Sequence, residues 1–502
     1  MAKRRQTVTK WAQSLQHGSS DVLELEDSRS TVLNTGFLSR HVQARDQNAV
    51  IAKLLNQFLQ FNRASFDALD IEPQPVFTGD AVRLRLISHT RIGAVPLMSP
   101  ITFKPEFSLI IKPRFGWNGV GPVLLSTGWK VLPDILRMPS LKISERRIPP
   151  WVLSTVVLSR LDNLIRNLSR EFEMVEEEQS IPRGSVNWTR YAQKNLPNGR
   201  LQSLPCRYPD LQADQELTAA IHFVLSRQLQ SLNTQRSMGV HVIQLVEYAR
   251  QLLAKVKHVP PQKPQSLHLQ QLQSRSKQLT GTTMHQGIEA IEWTVQEKGL
   301  AGLGDFHGLP WMMSMETLFE AYVESVMERL LRLRGGVLKR GRTRETIVPI
   351  HWDPPITGSQ RYLMPDLIIE RDEVSCIVDA KYKDHWEDLN VDSWMRLEEE
   401  IRNRHRHDVH QILAYAATHE AGVIGAINSS GEYLFDTSDR KSIICCLMYP
   451  CTRETWLSLV SRNRHIHEAE LGHSGQNIRL MLTAMPFQLP DEELKHLLRV
   501  LG

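Results

Sequence analysis

Pro365-Asp366, followed after twelve intervening residues by Asp379-Ala380-Lys381, sets two carboxylates and an amine where two short strands can bring them together. Leu367, Ile368 and Ile369 read as one strand, Arg371-Asp372-Glu373 as a polar turn, and Val374 to Lys381 as a second, more apolar strand. Side chains alternate faces along a strand, so Asp379 and Lys381 point one way while Val378 and Ala380 point into the core. Two acidic oxygens suit a hard cation such as Mg2+, which keeps several of its waters and lowers their pKa. The ammonium can orient the attacking water or neutralise charge developing on a phosphate. D-x-K alone is common, and its plain alternative is a hairpin carrying an Asp379–Lys381 surface salt bridge, so the reading needs support from neighbouring elements.

Two helices supply it. Met315 to about Leu333 carries Leu318, Tyr322, Val326 and Leu330 as an apolar stripe. Glu316 and Glu320 lie four apart on one face of that helix, and either can add a carboxylate. Downstream, His410-Gln411-Ile412-Leu413-Ala414-Tyr415-Ala416 begins another helix. The order is a helix with Glu, a strand with Asp, a strand with D-x-K and a helix with Gln.

That order resembles the PD-(D/E)xK nuclease superfamily, and in detail the McrC family, the nuclease subunits of McrBC-type modification-dependent restriction systems. The matching pieces are LFEAYV at Leu318 to Val323, MPD at Met364 to Asp366, DAKYK at Asp379 to Lys383 and HQILAYA at His410 to Ala416. Arg91 to Val95, Leu109 to Arg114 and Ile181 to Val186 are similar to the family's earlier segments. The resemblance implies a restriction-endonuclease-like α/β core, a mixed sheet flanked by helices, and cleavage of double-stranded DNA. It implies Asp366, Asp379 and Glu320 as ligands of Mg2+ (or of Mn2+ in its place), Lys381 as the catalytic amine and Gln411 as the helix glutamine beside them. Glu320 is preferred to Glu316 because the family acid follows a Phe, as in Phe319-Glu320. Tyr382 falls on the core side and Lys383 on the active face, as a phosphate contact. The family further implies an AAA+ GTPase partner of McrB type and a role in defence against foreign DNA.

Charge distribution bears on the same reading. The chain of 502 residues has a net charge of only +5, yet Arg329, Arg332, Arg334, Lys339, Arg340, Arg342 and Arg344 form a basic run without an acid. Arg402, Arg404, His405, Arg406 and His407 form a second cluster before the Gln helix. Basic runs are commonly solvated surface, but two of them flanking a phosphodiesterase centre favour contact with the DNA backbone, and Arg340, Arg342, Arg344, Arg404 and Arg406 are the candidates. The five cysteines show no CxxC or zinc spacing and read as reduced, mostly buried thiols of a cytoplasmic protein. Neither a leader's apolar core nor a membrane-length apolar stretch is present.

Length and punctuation divide the chain into a polar arm and helix over 1–70, a small β-rich domain over 71–147, a helical middle region over 148–257 that includes helices Val152 to Phe172 and Glu216 to Leu232, a linker and lead-in helix over 258–300, the nuclease region over 301–450 and a partly helical tail over 451–502. The linker opens on His258 to Pro264, a Pro-rich break. Gly336 to Thr343 spells a near P-loop, but a helix precedes it and Arg342 replaces its Lys, so a surface turn is the better reading and the chain carries no motor. His465, His467, Glu468 and His473 lack a zinc spacing and read as solvated loop. Trp311, Trp386 and Trp394 read as packing. Two other functions fit the sequence: a catalytically silent adaptor that stimulates a motor NTPase, and a stand-alone, structure-directed repair nuclease.

Overall fold

A computed structural model describes residues 22–39, 47–78, 81–139, 149–168, 170–213, 215–265, 282–297, 299–300, 308–350, 354, 358–371, 374–383, 399–424, 442–473 and 476–501. Most of the expected N-terminal arm, the turn residues Asp372 and Glu373, and Trp386 and Trp394 lie outside them. The chain forms two compact units, Met1–Glu145 with Phe306–Gly502, and Arg146–Asp305. Both mix helices and sheets.

Unit Arg146–Asp305 contains helices Trp151–Arg166, Gln215–Thr234, Val240–Val256 and Thr282–Val295, which bury Val157, Leu161, Val224, Leu245 and Ile288. The helix expected to reach Phe172 ends at Arg166, where the Asn167 amide donates to Asn163 O at 3.2 Å. The alternation Glu171-Phe172-Glu173-Met174 has period two, and Arg170–Gln179 is a strand paired antiparallel with Leu204–Ala213. Ser185–Val186 completes this three-stranded sheet.

In the other unit, Val22–Glu26 pairs parallel with Pro105–Lys112, which pairs antiparallel with Arg91–Met98. Arg91–Met98 in turn pairs with Trp311–Ser314, and Asp134–Ile135 closes the five-stranded sheet. Trp311 is a buried core residue, as expected. A separate sheet runs Ser30–Asn34, Ala81–Ser88, Ile71–Thr78, and the helix Gln47–Phe61 buries Leu55 and Phe58.

The strand Trp311–Ser314 runs directly into the first helix of the site, α1 (Met315–Arg334), where the Ser314 hydroxyl accepts from the Thr317 amide at 3.2 Å as an N-cap. A six-stranded sheet follows. Its strands in chain order are β1 (Val337–Arg340), β2 (Leu367–Glu370), β3 (Val374–Ala380), β4 (Ser442–Cys451), β5 (Ile466–His473) and β6 (Gln476–Pro486), arranged β1-β2-β3-β4-β6-β5. β1, β2 and β3 are antiparallel, β3 and β4 parallel, β4 and β6 parallel, and β5 antiparallel to β6. Parallel central strands are covered on both faces, and β4 is accordingly buried from Ile443 to Cys451. The sheet runs on through β5 and β6, strands in the part of the chain read from sequence as a partly helical tail; the tail also supplies α3 (Arg453–Ser461) and a 3₁₀ segment, Asp491–Leu501, that buries Leu494, Leu497 and Val500. Helix α2 (Glu399–Ile424) packs on β3 and β4.

The near P-loop is strand β1 followed by a turn at Gly341, with no helix to receive a phosphate at its end. All five cysteines are free and buried, as expected. No described helix is long and apolar enough to cross a membrane.

Candidate active site

The hairpin β2–β3 does what its sequence requires: the Arg371 amide closes the turn by donating to Val374 O at 2.9 Å, and Leu367 stands opposite Val378. Asp366 precedes β2, and its Oδ2 accepts the Ala380 amide at 2.7 Å, which ties the first acid to the D-x-K strand by a direct bond. Asp379 is 2% exposed near the end of β3. Lys381 Nζ stands 2.8 Å from Asp379 Oδ2. The Asp379–Lys381 contact is therefore a buried ion pair and not the surface bridge of the plain alternative.

The Lys381 ammonium also donates to Gln411 Oε1 at 3.1 Å, and Gln411 Nε2 donates to the Tyr415 hydroxyl at 2.7 Å. Gln411 and Tyr415 are one turn apart on α2, so the helix presents a relay that orients the amine.

Electrostatics gather the third acid. Burial, then the charges of Asp379 and Glu320, hold the Asp366 carboxyl well above its ordinary value against the Ala380 amide and Lys381. Burial also raises Asp379 in spite of Lys381. Glu320 on α1 is pushed up to about 7 by burial, Glu316 and Asp379, opposed by Lys381 and Arg342. For Lys381, burial acts to lower the ammonium, but Asp379 and then Asp366 keep it above its usual value. Asp366, Asp379, Glu320 and Lys381 thus form one interacting set, with Gln411 bonded to it. Glu316 is exposed at its edge.

This set suits a divalent cation by donor chemistry. Crowded, partly desolvated carboxylates that raise one another's pKa are relieved by a bound cation. Among the described residues no three or more His, Cys, Asp or Glu side chains are closed into a ready metal cage. Mg2+ does not need one, since it binds through one or two carboxylates and completes its shell with water and phosphate oxygens.

Several flanking residues carry different bonds from those expected. Lys383 pairs with Asp408 of α2, a fully buried acid that also accepts from the Tyr449 hydroxyl at 3.0 Å. Arg340 donates to Glu324 at 3.1 Å and to Glu328 at 2.8 Å, and Arg342 donates to both oxygens of Glu324 at 3.2 and 3.1 Å. Arg329 is bound to Asp491 and Leu489 O, and Lys339 to Glu370. Much of the basic run therefore holds α1, β1 and the C-terminal segment together. Arg344 is exposed on the turn after β1, at a φ of 63°. That turn abuts the site, because the Gly341 amide donates to Asp366 O at 2.7 Å and the Thr346 hydroxyl to Pro365 O at 2.6 Å. Arg404 and Arg406 are exposed and lie within α2 itself instead of ahead of it. Arg404 falls four residues before Asp408 and seven before Gln411, on the site's helical stripe, whereas Arg406 is rotated to the opposite side.

Glu324, Asp408, Gly341 and Tyr415 join the candidate site without being expected there. Glu324 follows Glu320 by four residues and Asp408 precedes Gln411 by three, so helical spacing alone marked both. Glu324 is the buried anion for Lys130, Arg340 and Arg342. Glu324→Ala is expected to lower unfolding free energy by about 2–3 kcal/mol, because three cations lose a common partner and are only partly solvated. Urea denaturation reads this directly, and an unchanged midpoint would show that water serves them equally well.

His467, Glu468 and His473 lie on strand β5 and not in the solvated loop expected, and His465, in the bend before it, is buried with Nε2 3.1 Å from His496 O.

Comparison with known proteins bears on the whole arrangement. The profile of the McrBC 5-methylcytosine restriction system component family matches residues 123–425, which include α1, the D-x-K hairpin and α2. The chain belongs to that family. Among solved structures, it is similar to a chain of the half-complex from the tetradecameric assembly of Thermococcus gammatolerans McrB AAA+ hexamers with bound McrC, at 13% identity and a TM-score of 0.39 over 96% of this chain and 99% of that one. It is also similar to a chain of the Thermococcus gammatolerans McrBC complex, at 17% identity and a TM-score of 0.25 over 62% and 88% of the two chains. No curated protein matches. In this McrBC component the matched segment ends at residue 425, before β4, β5 and β6.

Proposed function

We propose that this McrBC component is the Mg2+-dependent DNA endonuclease of its restriction system, built on a core of PD-(D/E)xK type. The observation that carries the reading is the buried Asp379–Lys381 pair, bonded onward to Gln411 and joined to Asp366 through the Ala380 amide. A merely structural ion pair has no need of two further carboxylates whose charges oppose it, since crowded anions cost stability.

Asp366 and Asp379, with Glu320 from α1, would hold the cation. Bound there, Mg2+ supplies Lewis acidity at the phosphate and a water of lowered pKa. Lys381, positioned by Gln411, donates to the attacking water or to the charge that develops on the phosphate oxygens. Arg344 on the turn next to Asp366 and Arg404 on the site stripe of α2 would meet DNA phosphates, with Arg406 further away. Lys383, Arg340 and Arg342 serve DNA only by exchanging their present carboxylate partners. A component of a restriction system works with others, and an AAA+ GTPase of McrB type is the partner proposed.

The experiment is cleavage of methylated double-stranded DNA by the purified chain with Mg2+, with and without that motor and GTP. Cutting that needs both, and that Lys381→Ala abolishes, supports the reading. Unimpaired function in cells carrying Lys381→Ala favours an adaptor. Efficient cutting by the chain alone favours a repair nuclease.

A further inference from the structure

We propose that Asp27, in the turn after the N-terminal strand Val22–Glu26, is a positioning residue for Lys381, acting through the hydroxyl of Tyr382. This rests on the reading of Lys381 as the catalytic amine. Asp27 is fully buried. Its Oδ2 accepts from the Tyr382 hydroxyl at 2.7 Å, across 355 residues of sequence, and its Oδ1 accepts from the Arg114 amide at 2.6 Å. The Arg114 side chain comes within 3.8 Å of the same carboxylate, and its guanidinium lies over the Tyr382 ring at 4.4 Å and the Phe115 ring at 4.9 Å.

The rest of the ring is caged. Phe319, which precedes Glu320 on α1, stands 6.1 Å from Tyr382 between centroids, and Phe487, which follows β6, stands 6.2 Å away and stacks on Phe115 at 4.3 Å. Packing alone would be satisfied by phenylalanine in such a cage. A buried carboxylate that accepts a phenol costs desolvation, and the directional bond fixes how far the ring can turn. Lys381 and Tyr382 are consecutive just past β3, with the Lys381 amide held by Met448 O at 2.8 Å. A rotation of Tyr382 about that anchor therefore displaces the Lys381 ammonium from Asp379 and Gln411. The N-terminal sheet, by this account, is part of the centre's framework.

Tyr382→Phe keeps the ring and the guanidinium stacking and removes only the hydroxyl, while Asp27→Asn removes the charge. With the full chain, its motor partner, GTP and Mg2+, single-turnover cleavage by either variant is expected to fall about tenfold to hundredfold, the scale of a small misplacement of a catalytic group. DNA affinity and calorimetric Mn2+ affinity stay at wild-type values, and the proteins remain folded at the assay temperature. Wild-type cleavage by Tyr382→Phe beside an inactive Lys381→Ala overturns the proposal. So does a rate loss matched by lost Mn2+ binding or by melting, which reduces Asp27 to a support of the fold. If Lys381→Ala itself cleaves normally, it is the nuclease reading that has failed.

Discussion

Asp379→Asn is expected to lower DNA cleavage by about 10^3-fold or more, equivalent to roughly 4 kcal/mol of transition-state stabilisation. The substitution keeps the side chain's size and removes a single charge, the one shared by the proposed cation and the Lys381 ammonium. Its effect on folding has the opposite sign. Burial raises Asp379, so the folded chain tolerates its charge less well than the unfolded chain does. A neutral side chain removes that penalty, and Lys381 keeps Gln411 as a partner. Without divalent ions the variant should melt at or above the wild-type temperature, and added Mg2+ should stabilise only the wild type. Single-turnover cleavage and thermal denaturation with and without Mg2+ separate the two effects. Retained cleavage, or a variant that still gains stability from Mg2+, would remove Asp379 from the centre.

The second large effect is on pH. Glu320 moves from an ordinary 4.5 to about 7 in the folded chain, by burial, Glu316 and Asp379 against Lys381 and Arg342. Between those values the folded state binds a proton that the unfolded state does not, so the metal-free protein loses stability as pH rises through that window and levels off above it. Asp366 and Asp379, also raised, act in the same sense from a lower starting value. A bound cation favours the ionised carboxylates. Divalent affinity and cleavage should therefore climb with pH up to about 7, and Mg2+ binding should release protons below it. Glu320→Gln should abolish most of that acidic limb, flatten the stability profile over the same range and lower cleavage at neutral pH. An acidic limb left intact in Glu320→Gln would assign it to other groups.

The grouping of the candidate site residues was legible because it lies in short, local patterns. Alternation placed Asp379 at the end of β3 and Lys381 just past it on one face, and the stripe Leu318, Tyr322, Val326, Leu330 placed Glu320 on α1. The local reading left out bonds whose partner is distant in sequence. Arg340 and Arg342 look like a basic surface until α1 folds Glu324 and Glu328 against them. Lys383 looks like a phosphate contact until α2 brings Asp408 to it. Neither the Asp27–Tyr382 bond nor the parallel pairing of β3 with β4 leaves a trace at short range. The strand Arg170–Gln179 and strands β5 and β6 were legible in principle from period-two alternation, but acidic residues in the first and scattered polar ones in the others hid it.

Anomalous diffraction from crystals grown with Mn2+ would locate the cation among these carboxylates. A peak is expected within coordination distance, about 2.0–2.2 Å, of carboxylate oxygens of both Asp366 and Asp379, with Lys381 alongside. Ordered Asp366 and Asp379 with no peak between them, or a peak held by other residues, would contradict the proposed cation site.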